Sequence, residues 1–172
     1  MSVVVAPPVA SQGEADILNA VYGEAERARR EFLTCKLGEE SYGIDILKVQ
    51  EIREIELVTR IPHVSRFVRG VINLRGAIVP VVDLGLMFGF SEPLPLAKAS
   101  AIVLNVDRRL VGLVVSSVSD VLALADEEIL PAPDLGDRAV GEAIAGIGTR
   151  GDETVMLLDV DHLMRRVREE RE

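Results

Sequence analysis

The sequence predicts an all-β protein with minor helix, organised as two small lobes. Short runs rich in Val, Ile and Leu, bounded by Gly, Asp, Pro and Asn, recur from Glu31 to about residue 160. Such runs are typical of strands in a barrel or sandwich. The second observation is a repeat, because segments of the first half return in the second half with closely matched spacing. The strand pattern indicates the fold class, and the repeat indicates two similar lobes.

Ten strands are predicted, five in each half of the chain. They are 31–37, 41–46, 50–55, 70–75 and 78–82, then 100–106, 110–116, 118–124, 143–149 and 154–159. The segment 91–98 contains two prolines and is predicted to link lobes of about 31–90 and 99–160. Closing each small sheet into a barrel would remove the exposed edges that invite aggregation.

The N-terminal residues 1–30 are predicted to be an extension outside the β-region. Residues 1–12 are small, contain prolines and have no periodicity, which favours a disordered tail, whereas the composition of 14–30 favours a helix. The apolar run Val3–Ala10 has no basic residue before it and is interrupted by two prolines. A secretory signal peptide is therefore disfavoured.

Other helices are predicted to be short, except at the end of the chain. Phe67 is expected in a brief helix that follows a proline, and the run 84–90 is expected to form another helical turn. A longer helix is predicted from about Val160 to Arg168, and 166–172 is predicted to be a charged tail.

The repeat consists of two blocks in each half. The first block, GIDILKVQEI (43–52) and GLVVSSVSDV (112–121), has a glycine, two apolar residues and a penultimate acid at the same offsets. The second block, GVINLRGAIVPVVD (70–83) and GIGTRGDETVMLLD (146–159), has equal length and an Arg-Gly turn between two strands, at offsets that differ by one residue. Matched spacing in the same order indicates an ancient duplication.

Charge and composition limit the possible partners. The chain carries 28 Asp and Glu against 19 Lys and Arg, a net charge of -9, with 3% aromatic residues and no Trp. Such a chain repels phosphate backbones and lacks stacking platforms, so we expect no nucleic-acid partner. No apolar run has the length of a membrane span, so no direct membrane insertion is expected. A single cysteine fits a reducing compartment, and the protein is predicted to be cytoplasmic.

One segment matches a nucleotide-binding pattern but lacks its context. Gly146–Gly151 reads GIGTRG, the dinucleotide fingerprint, whose glycines must lead from a strand into a helix. The residues that follow, DETVMLLDV, are β-patterned, so a hairpin turn is the favoured interpretation and no cofactor is predicted. A nucleotide-dependent enzyme using this loop is kept as a remote alternative.

The remaining chemistry-bearing residues do not form a catalytic or metal-binding pattern. His63 and His162 are the only two histidines, too few for a convincing triad or metal cluster. Cys35 alternates with leucines and is expected to be buried and inert. Asp159 or Asp161 is expected to cap the final helix. No enzymatic activity and no metal site are predicted.

Three segments carry a resemblance to a known family. YGIDILKVQEI (42–52), RFVRGVINLRGAIVPVVDL (66–84) and VGLVVSSVSDVLAL (111–124) closely resemble the CheW family of chemotaxis coupling proteins, and the match covers about 31–165. The resemblance implies two SH3-like five-stranded β-barrel lobes packed side by side, with short helices, a C-terminal helix and no catalytic activity.

The resemblance also implies a role in chemotaxis signal transduction. The chain would be a scaffold that binds the cytoplasmic tip of chemoreceptors, a helical hairpin, and the regulatory domain of the histidine kinase CheA. It would be recruited to membrane-bound receptor arrays, where receptor state controls autophosphorylation. An alternative is a coupling protein of a chemosensory-like pathway with another output, such as appendage motility or development.

Carried over by motif position, the receptor-binding residues would be Val49, Glu51, Gly70, Arg75 and Val121, bordering a groove between the lobes. An amphipathic helix docks by laying apolar side chains into a groove while polar groups fix its register. Valines would supply apolar contact, the glycine close approach and the arginine a planar donor fork. Glu51 would either pair with a basic residue of the receptor or orient Arg75. Alternatively, the two valines fill the cores of their own lobes and the glycine serves a tight bend. Kinase-binding residues are not assigned.

Overall fold

The chain forms two β-sheets in a computed structural model that describes residues 29–134 and 138–171. The strands are β1 (Arg29–Leu37), β2 (Glu40–Asp45), β3 (Val49–Glu54), β4 (Val68–Leu74), β5 (Ala77–Asp83), β6 (Ser100–Val106), β7 (Arg109–Val115), β8 (Ser117–Ala125), β9 (Ile129–Pro131), β10 (Ile144–Arg150) and β11 (Glu153–Leu158). The helices are α1 (Leu84–Met87), α2 (Arg138–Ala143) and α3 (Val160–Arg171). The all-β class is confirmed, and all ten predicted strands are present with ends shifted by at most two residues.

The two sheets do not divide the chain at 91–98, where the sequence predicted the boundary. The six-stranded sheet has the order β8-β1-β2-β11-β10-β9, and the five-stranded sheet has the order β3-β6-β7-β5-β4. The lobes of 31–90 and 99–160 are therefore corrected: one sheet is the continuous stretch β3–β7, and the other combines both ends of the chain. The chain changes sheet at the 3-10 turn Ile46–Lys48 and again at Ser116.

This exchange follows the internal repeat. If β1 to β5 of the first half correspond to β6, β7, β8, β10 and β11 of the second, the order β8-β1-β2-β11-β10 becomes β3-β6-β7-β5-β4. The parallel pairings agree as well, since Gly43 pairs with Leu157 and Gly112 pairs with Val81. The topology thus supports the duplication: each half gives one hairpin to one sheet and its later strands to the other.

The main hydrophobic core joins the two sheets. Leu33, Cys35 and Ile44 of the six-stranded sheet belong to the same buried cluster as Ile102 and Leu113 of the five-stranded sheet. Fully burying one such aliphatic side chain contributes about 1.5–3 kcal/mol. Because the cluster is shared, neither sheet buries its apolar face alone. Burial raises the pKa of the Cys35 thiol to about 12, which agrees with the inert thiol expected.

The connection after β5 is tied to the five-stranded sheet by a buried charge. The carboxylate of Asp83 is fully buried, accepts from the backbone N–H groups of Leu86 and Leu94, and pairs with Nη1 of Arg69 at 2.9 Å. The same Arg69 nitrogen donates to the carbonyl of Leu94 at 2.8 Å. The Pro-containing segment is thereby fixed rather than free to act as a hinge.

The helix predictions are confirmed in part. The helical turn expected within 84–90 is α1, and α3 begins at Val160 as predicted, with Asp159 accepting from the backbone N–H of His162 at 3.0 Å. Phe67 does not lie in a helix, because its carbonyl accepts from the Asp83 N–H at 2.7 Å and so continues the β4–β5 pairing.

Other parts of the chain also differ from the predictions made from the sequence. Helix α3 runs to Arg171, so most of the segment 166–172 is helical rather than a tail. The N-terminal tail and most of the predicted helix 14–30 lie outside the described residues, and Arg29 and Arg30 belong to β1. Strand β9 and helix α2 were not predicted.

Candidate functional site

An ion pair joins the two edge strands of the five-stranded sheet. Glu51 lies within β3 at one edge, and Arg75 lies in the turn that follows β4 at the other edge. Nη2 of Arg75 donates to Oε2 of Glu51, while Nη1 of Arg53 donates to Oε1 at 3.4 Å. The sheet is therefore curled, so that its edges approach each other across this carboxylate.

The Glu51 carboxylate is held in its charged form by its two arginine neighbours. The hydrogen bond from Arg75, followed by the positive charges of Arg75 and Arg53, lowers the pKa of Glu51 below its ordinary value. The Arg75 side chain is 68% exposed. An ion pair so open to solvent contributes little to folding, but it leaves guanidinium donors available to a partner.

The turn that carries Arg75 has an uncommon backbone. Arg75 and Gly76 both have positive φ, 50° and 90°, in the two-residue connection between the paired residues Leu74 and Ala77. Two-residue hairpin turns with positive φ at both positions match the twist of the strands, but they favour Asn and Gly. The side-chain oxygen of Asn73 accepts from the Gly76 N–H at 2.9 Å and stabilises the turn. The NLRG sequence thus holds an arginine in a rare conformation.

Gly70 is required by a close approach of the chain's own backbone. A Cβ at Gly70, where φ is +143°, would lie 2.2 Å from the carbonyl oxygen of Thr59. Thr59 and Val71 exchange two backbone hydrogen bonds, of 2.8 and 2.9 Å, that lay this segment along β4. The close approach expected at Gly70 is therefore made by Thr59.

The second half repeats this contact at Gly146. A Cβ at Gly146 would lie 2.9 Å from the carbonyl oxygen of Leu130 in β9, which pairs with β10 as Thr59 pairs with β4. Both glycines follow a register shift at the start of their strands. The glycines of the repeat thus have the same structural role in both sheets.

The repeat does not preserve the ion pair. With Gly70 aligned on Gly146, the turn position of Arg75 is taken by Gly151, which has no side chain to form an ion pair. Arg150, one residue earlier, ends β10, and its Nη1 donates to the backbone carbonyl of Ala123 at 3.3 Å. Asp120, the counterpart of Glu51, is bound instead to the Thr34 hydroxyl, with Oδ1 at 3.2 Å. The six-stranded sheet therefore folds without a counterpart of the Glu51–Arg75 ion pair.

A groove lies beside Thr59, between the segment after β3 and the face of β4. Its volume is about 190 Å³. It is lined by Arg53, Glu54, Ile55, Glu56, Leu57, Thr59, Val71, Ile72, Asn73 and Ala101. Leu57 on its rim is 78% exposed. The groove combines aliphatic side chains with charges of both signs at its border, as a surface that receives an amphipathic segment does.

The two predicted valines occupy different environments. Val49, at the start of β3, is half-buried and packs against the core shared by both sheets. Val121 lies on β8 of the six-stranded sheet and is 48% exposed. Four of the five predicted residues therefore belong to the five-stranded sheet and its turn, whereas Val121 belongs to the other sheet. Of these, the structure brings Glu51 and Arg75 into direct contact.

Two residues next to this ion pair were not predicted from the sequence. Ile52 corresponds to Val121 in the repeat and is exposed to a similar extent, 47%. Arg53 is the second partner of Glu51 and also lines the groove. Ile52 could have been predicted from the repeat, because its counterpart Val121 had already been selected. The role of Arg53 depends on the side-chain contact, which no pattern in the sequence specifies.

The nucleotide-binding alternative is contradicted by the local structure. The GIGTRG residues lie in β10 and in the turn after it, where Gly151 has a φ of 62°, and the chain continues into β11. A dinucleotide site of this type needs a helix N-terminus after the glycines. The hairpin interpretation is confirmed.

Within residues 29–134 and 138–171, no group of three or more His, Cys, Asp or Glu side chains has the arrangement of a metal site. His63 is exposed in a turn with a φ of 62°, and His162 lies in α3 with Glu142 at 3.9 Å. No helix of the described part of the chain is long and apolar enough to cross a membrane.

The two sheets, the ion-paired turn and the open grooves define an all-β protein with exposed charged and apolar surfaces. The family model described as the CheW-like domain matches residues 31–168, and the chain belongs to this family. The chain is 45% identical over 139 residues to the chemotaxis protein CheW of Klebsiella aerogenes, covering 81% of this chain and 84% of that one. It is 29% identical over 152 residues to the protein FrzA of Myxococcus xanthus, covering 83% and 90%.

The fold also matches a solved structure. The scaffolding protein TtCheW from Thermoanaerobacter tengcongensis superposes with a TM-score of 0.69 at 30% sequence identity, covering 76% of this chain and 88% of that one.

Proposed function

We propose that this protein is a non-enzymatic scaffold that couples chemoreceptors to the histidine kinase CheA in chemotaxis signal transduction. The similarity to a chemotaxis protein CheW and to a solved scaffolding protein supports this role. In this proposal the chain acts in the cytoplasm and is recruited to membrane-bound receptor arrays. Its partners are the helical hairpin at the receptor tip and the regulatory domain of the kinase.

The proposed receptor-binding residues are Val49, Glu51, Gly70, Arg75 and Val121. The observation that carries the assignment is the Glu51–Arg75 ion pair, which has no counterpart in the other sheet, where Gly151 takes the turn position of Arg75. Since one half of the duplicated fold lacks the ion pair, folding does not require it. A charged pair that is exposed and held on an uncommon turn is then explained by binding: the guanidinium donates to a receptor carboxylate or carbonyl.

The other residues of the set would act differently. Gly70 would act indirectly, since it seats the Thr59 segment beside the groove. Val49 would position β3 from the core, and Val121 would supply apolar contact from the second sheet. A receptor helix that touched both Arg75 and Val121 would have to extend across the two sheets.

Reconstitution with purified components tests this function. The chain is added to a receptor cytoplasmic fragment and CheA, and kinase autophosphorylation is measured with and without it. We expect the rate to respond to the receptor fragment only when the chain is present. A rate that is independent of the chain, with both partners shown to be folded, would contradict the coupling role.

A related function deserves a separate test because the chain also resembles FrzA. In this alternative the chain couples receptors and a kinase of a chemosensory-like pathway that controls another output, such as appendage motility or development. Affinity purification from the native cell, followed by identification of the kinase that is recovered, distinguishes the two pathways.

A further inference from the structure

A cleft with an excess of positive charge lies between the β6–β7 turn and helix α3. Its volume is about 330 Å³. It is lined by Lys48, Val106, Asp107, Arg109, Asp161, Met164, Arg165 and Arg168. Four cations and two carboxylates give the cleft a local charge of +2 on a protein whose net charge is -9. The local sign is thus opposite to that of the whole molecule.

The four cations of this cleft have no acidic partner in the described part of the chain. Among the described residues, none of Lys48, Arg109, Arg165 and Arg168 forms an ion pair with Asp or Glu. The floor of the cleft is apolar, because Val106 and Met164 are buried there. Unpaired cations above an apolar floor can bind a segment that offers both carboxylates and an aliphatic side chain.

The repeat indicates that this charge is not a requirement of the fold. The β1–β2 turn corresponds to the β6–β7 turn, and the residue that pairs across its end is Glu40 where the other turn has Arg109. Ser117, the first residue of β8, takes the place that Lys48 has before β3. A cation is therefore replaced by an acid at one corresponding position and by a neutral residue at the other.

An exposed leucine borders the same region. Leu47 lies in the 3-10 turn Ile46–Lys48, next to the cleft residue Lys48, and is 87% exposed. Among the exposed large apolar side chains of the described residues it has the greatest exposure. An exposed leucine can pack on an aliphatic side chain of another protein. A phosphate backbone offers it no apolar surface of this kind.

We propose that this basic cleft binds a short acidic segment of a partner protein, with about two carboxylates beside an aliphatic side chain. A polyanion such as nucleic acid is disfavoured, since the overall charge of -9 repels it and Asp107 and Asp161 limit the anionic groups that the cleft can hold. None of the five residues proposed for receptor binding lines the cleft, so this surface is additional to the receptor site.

Fluorescence anisotropy on the full chain tests the proposal. The probe is a fluorescein-labelled peptide of about twelve residues, with three glutamates and two leucines on one helical face. Its control is the same peptide with glutamine in place of glutamate. We expect the acidic peptide to bind, the control to bind at least about tenfold more weakly, and the affinity to fall as NaCl rises from about 50 to 300 mM.

Charge-reversal variants locate the binding. Arg165→Glu with Arg168→Glu, and separately Arg109→Glu on a different element, should each weaken binding at least about tenfold. The matched control, Lys36→Glu with Lys98→Glu, makes the same change at exposed positions elsewhere and should stay within about twofold. Circular dichroism and thermal melts check that each variant folds.

Three results would overturn the proposal: no binding of the acidic peptide at millimolar concentration, equal losses in the control variant, or tighter binding of the cleft to a single-stranded oligonucleotide or to vesicles of anionic lipid. These assays use neither receptor nor kinase. Failure here therefore leaves the coupling function standing, and failure of the reconstitution leaves the cleft standing.

Discussion

Asp83 and Arg69 form a buried ion pair, with Oδ2 of the aspartate 2.9 Å from Nη1 of the arginine. The aspartate is inaccessible to solvent, and it also accepts the N–H groups of Leu86 and Leu94. Asp83 is the last residue of β5, and its carboxylate caps α1 through Leu86. Through Leu94 the same carboxylate holds the segment that leads to β6. This pair contrasts with Glu51 and Arg75, whose charges remain open to solvent.

Asp83→Ala should destabilise the protein by about 3–5 kcal/mol, because it leaves the Arg69 charge largely buried without its partner. Urea unfolding followed by circular dichroism measures the loss. Asp152→Ala, at an exposed turn position, is the matched control and should change the free energy of unfolding by no more than about 0.5 kcal/mol. Equal stability of the two variants would show that the buried network does not hold the fold.

Arg75→Ala should leave the fold intact and weaken receptor capture. The side chain is exposed, and exposed ion pairs contribute little to stability. A thermal melt establishes the fold, and a pull-down of receptor fragments establishes binding. The control is Arg150→Ala, the arginine that precedes the equivalent turn of the second half, which should retain capture. Unchanged capture by a folded Arg75→Ala variant would argue against the proposed receptor site.

The pKa of Glu51 should rise toward its ordinary value of 4.5 when Arg75 is replaced by alanine. The folded-state pKa is lowered, mainly by the Arg75 hydrogen bond, so the associated stabilisation is present above the unfolded-state pKa and is lost as pH falls through the folded-state value. Carbon-detected NMR titration of the side-chain carboxyl measures this pKa. Identical titration curves in the parent and the variant would mean that the contact does not persist in solution.

Gly70→Ala should destabilise the protein by more than about 1 kcal/mol, and by more than Gly76→Ala does. Both residues have positive φ, but a Cβ at Gly70 would collide with the Thr59 carbonyl, whereas nothing lies within 4 Å of one at Gly76. Chemical unfolding of the two variants separates backbone strain from collision. A smaller loss at Gly70 than at Gly76 would mean that the Thr59 segment moves away readily.

Val103→Asp should prevent stable folding, since Val103 is fully buried in β6 against Leu74 and Val79. A charge placed there has no partner, and its burial costs several kcal/mol. Val121→Asp makes the same change at a half-exposed position and should melt near the parent. If Val103→Asp melted at the same temperature as the parent, the side chain of Val103 could not face a buried core. If Val121 binds the receptor, its variant should also lose capture.

Local patterns predicted the strands well because each strand depends on alternation and on its own turn residues. The NLRG turn, the hairpin at Gly151 and the start of α3 at Val160 were all recognisable from short segments. The prediction failed at Phe67, where a proline suggested a helix and long-range pairing with Asp83 extended the sheet instead. It also missed β9, whose three residues are too few to show alternation.

The candidate site could be predicted only as a set of residues. Glu51 and Arg75 were selected by resemblance, and their contact was one of two alternatives for Glu51; the structure makes this contact because the sheet curls and brings its edge strands β3 and β4 together. Val121 was predicted to border the groove from the second lobe, and it lies on the six-stranded sheet, whereas the other four residues belong to the five-stranded sheet and its turn. Gly70 was expected to allow the close approach of a receptor, whereas in the structure the backbone of Thr59 lies against it.

The sequence by itself determined the strands, the turns, the final helix and the presence of two related halves, since these depend on residues close together in the chain. Only the tertiary structure decided that the halves exchange hairpins, with Gly43 beside Leu157 and Gly112 beside Val81. Parallel pairing joins segments far apart in the chain, and the choice between two similar partners depends on which arrangement buries the shared core. That choice is a property of the whole packed molecule, and no local pattern encodes it.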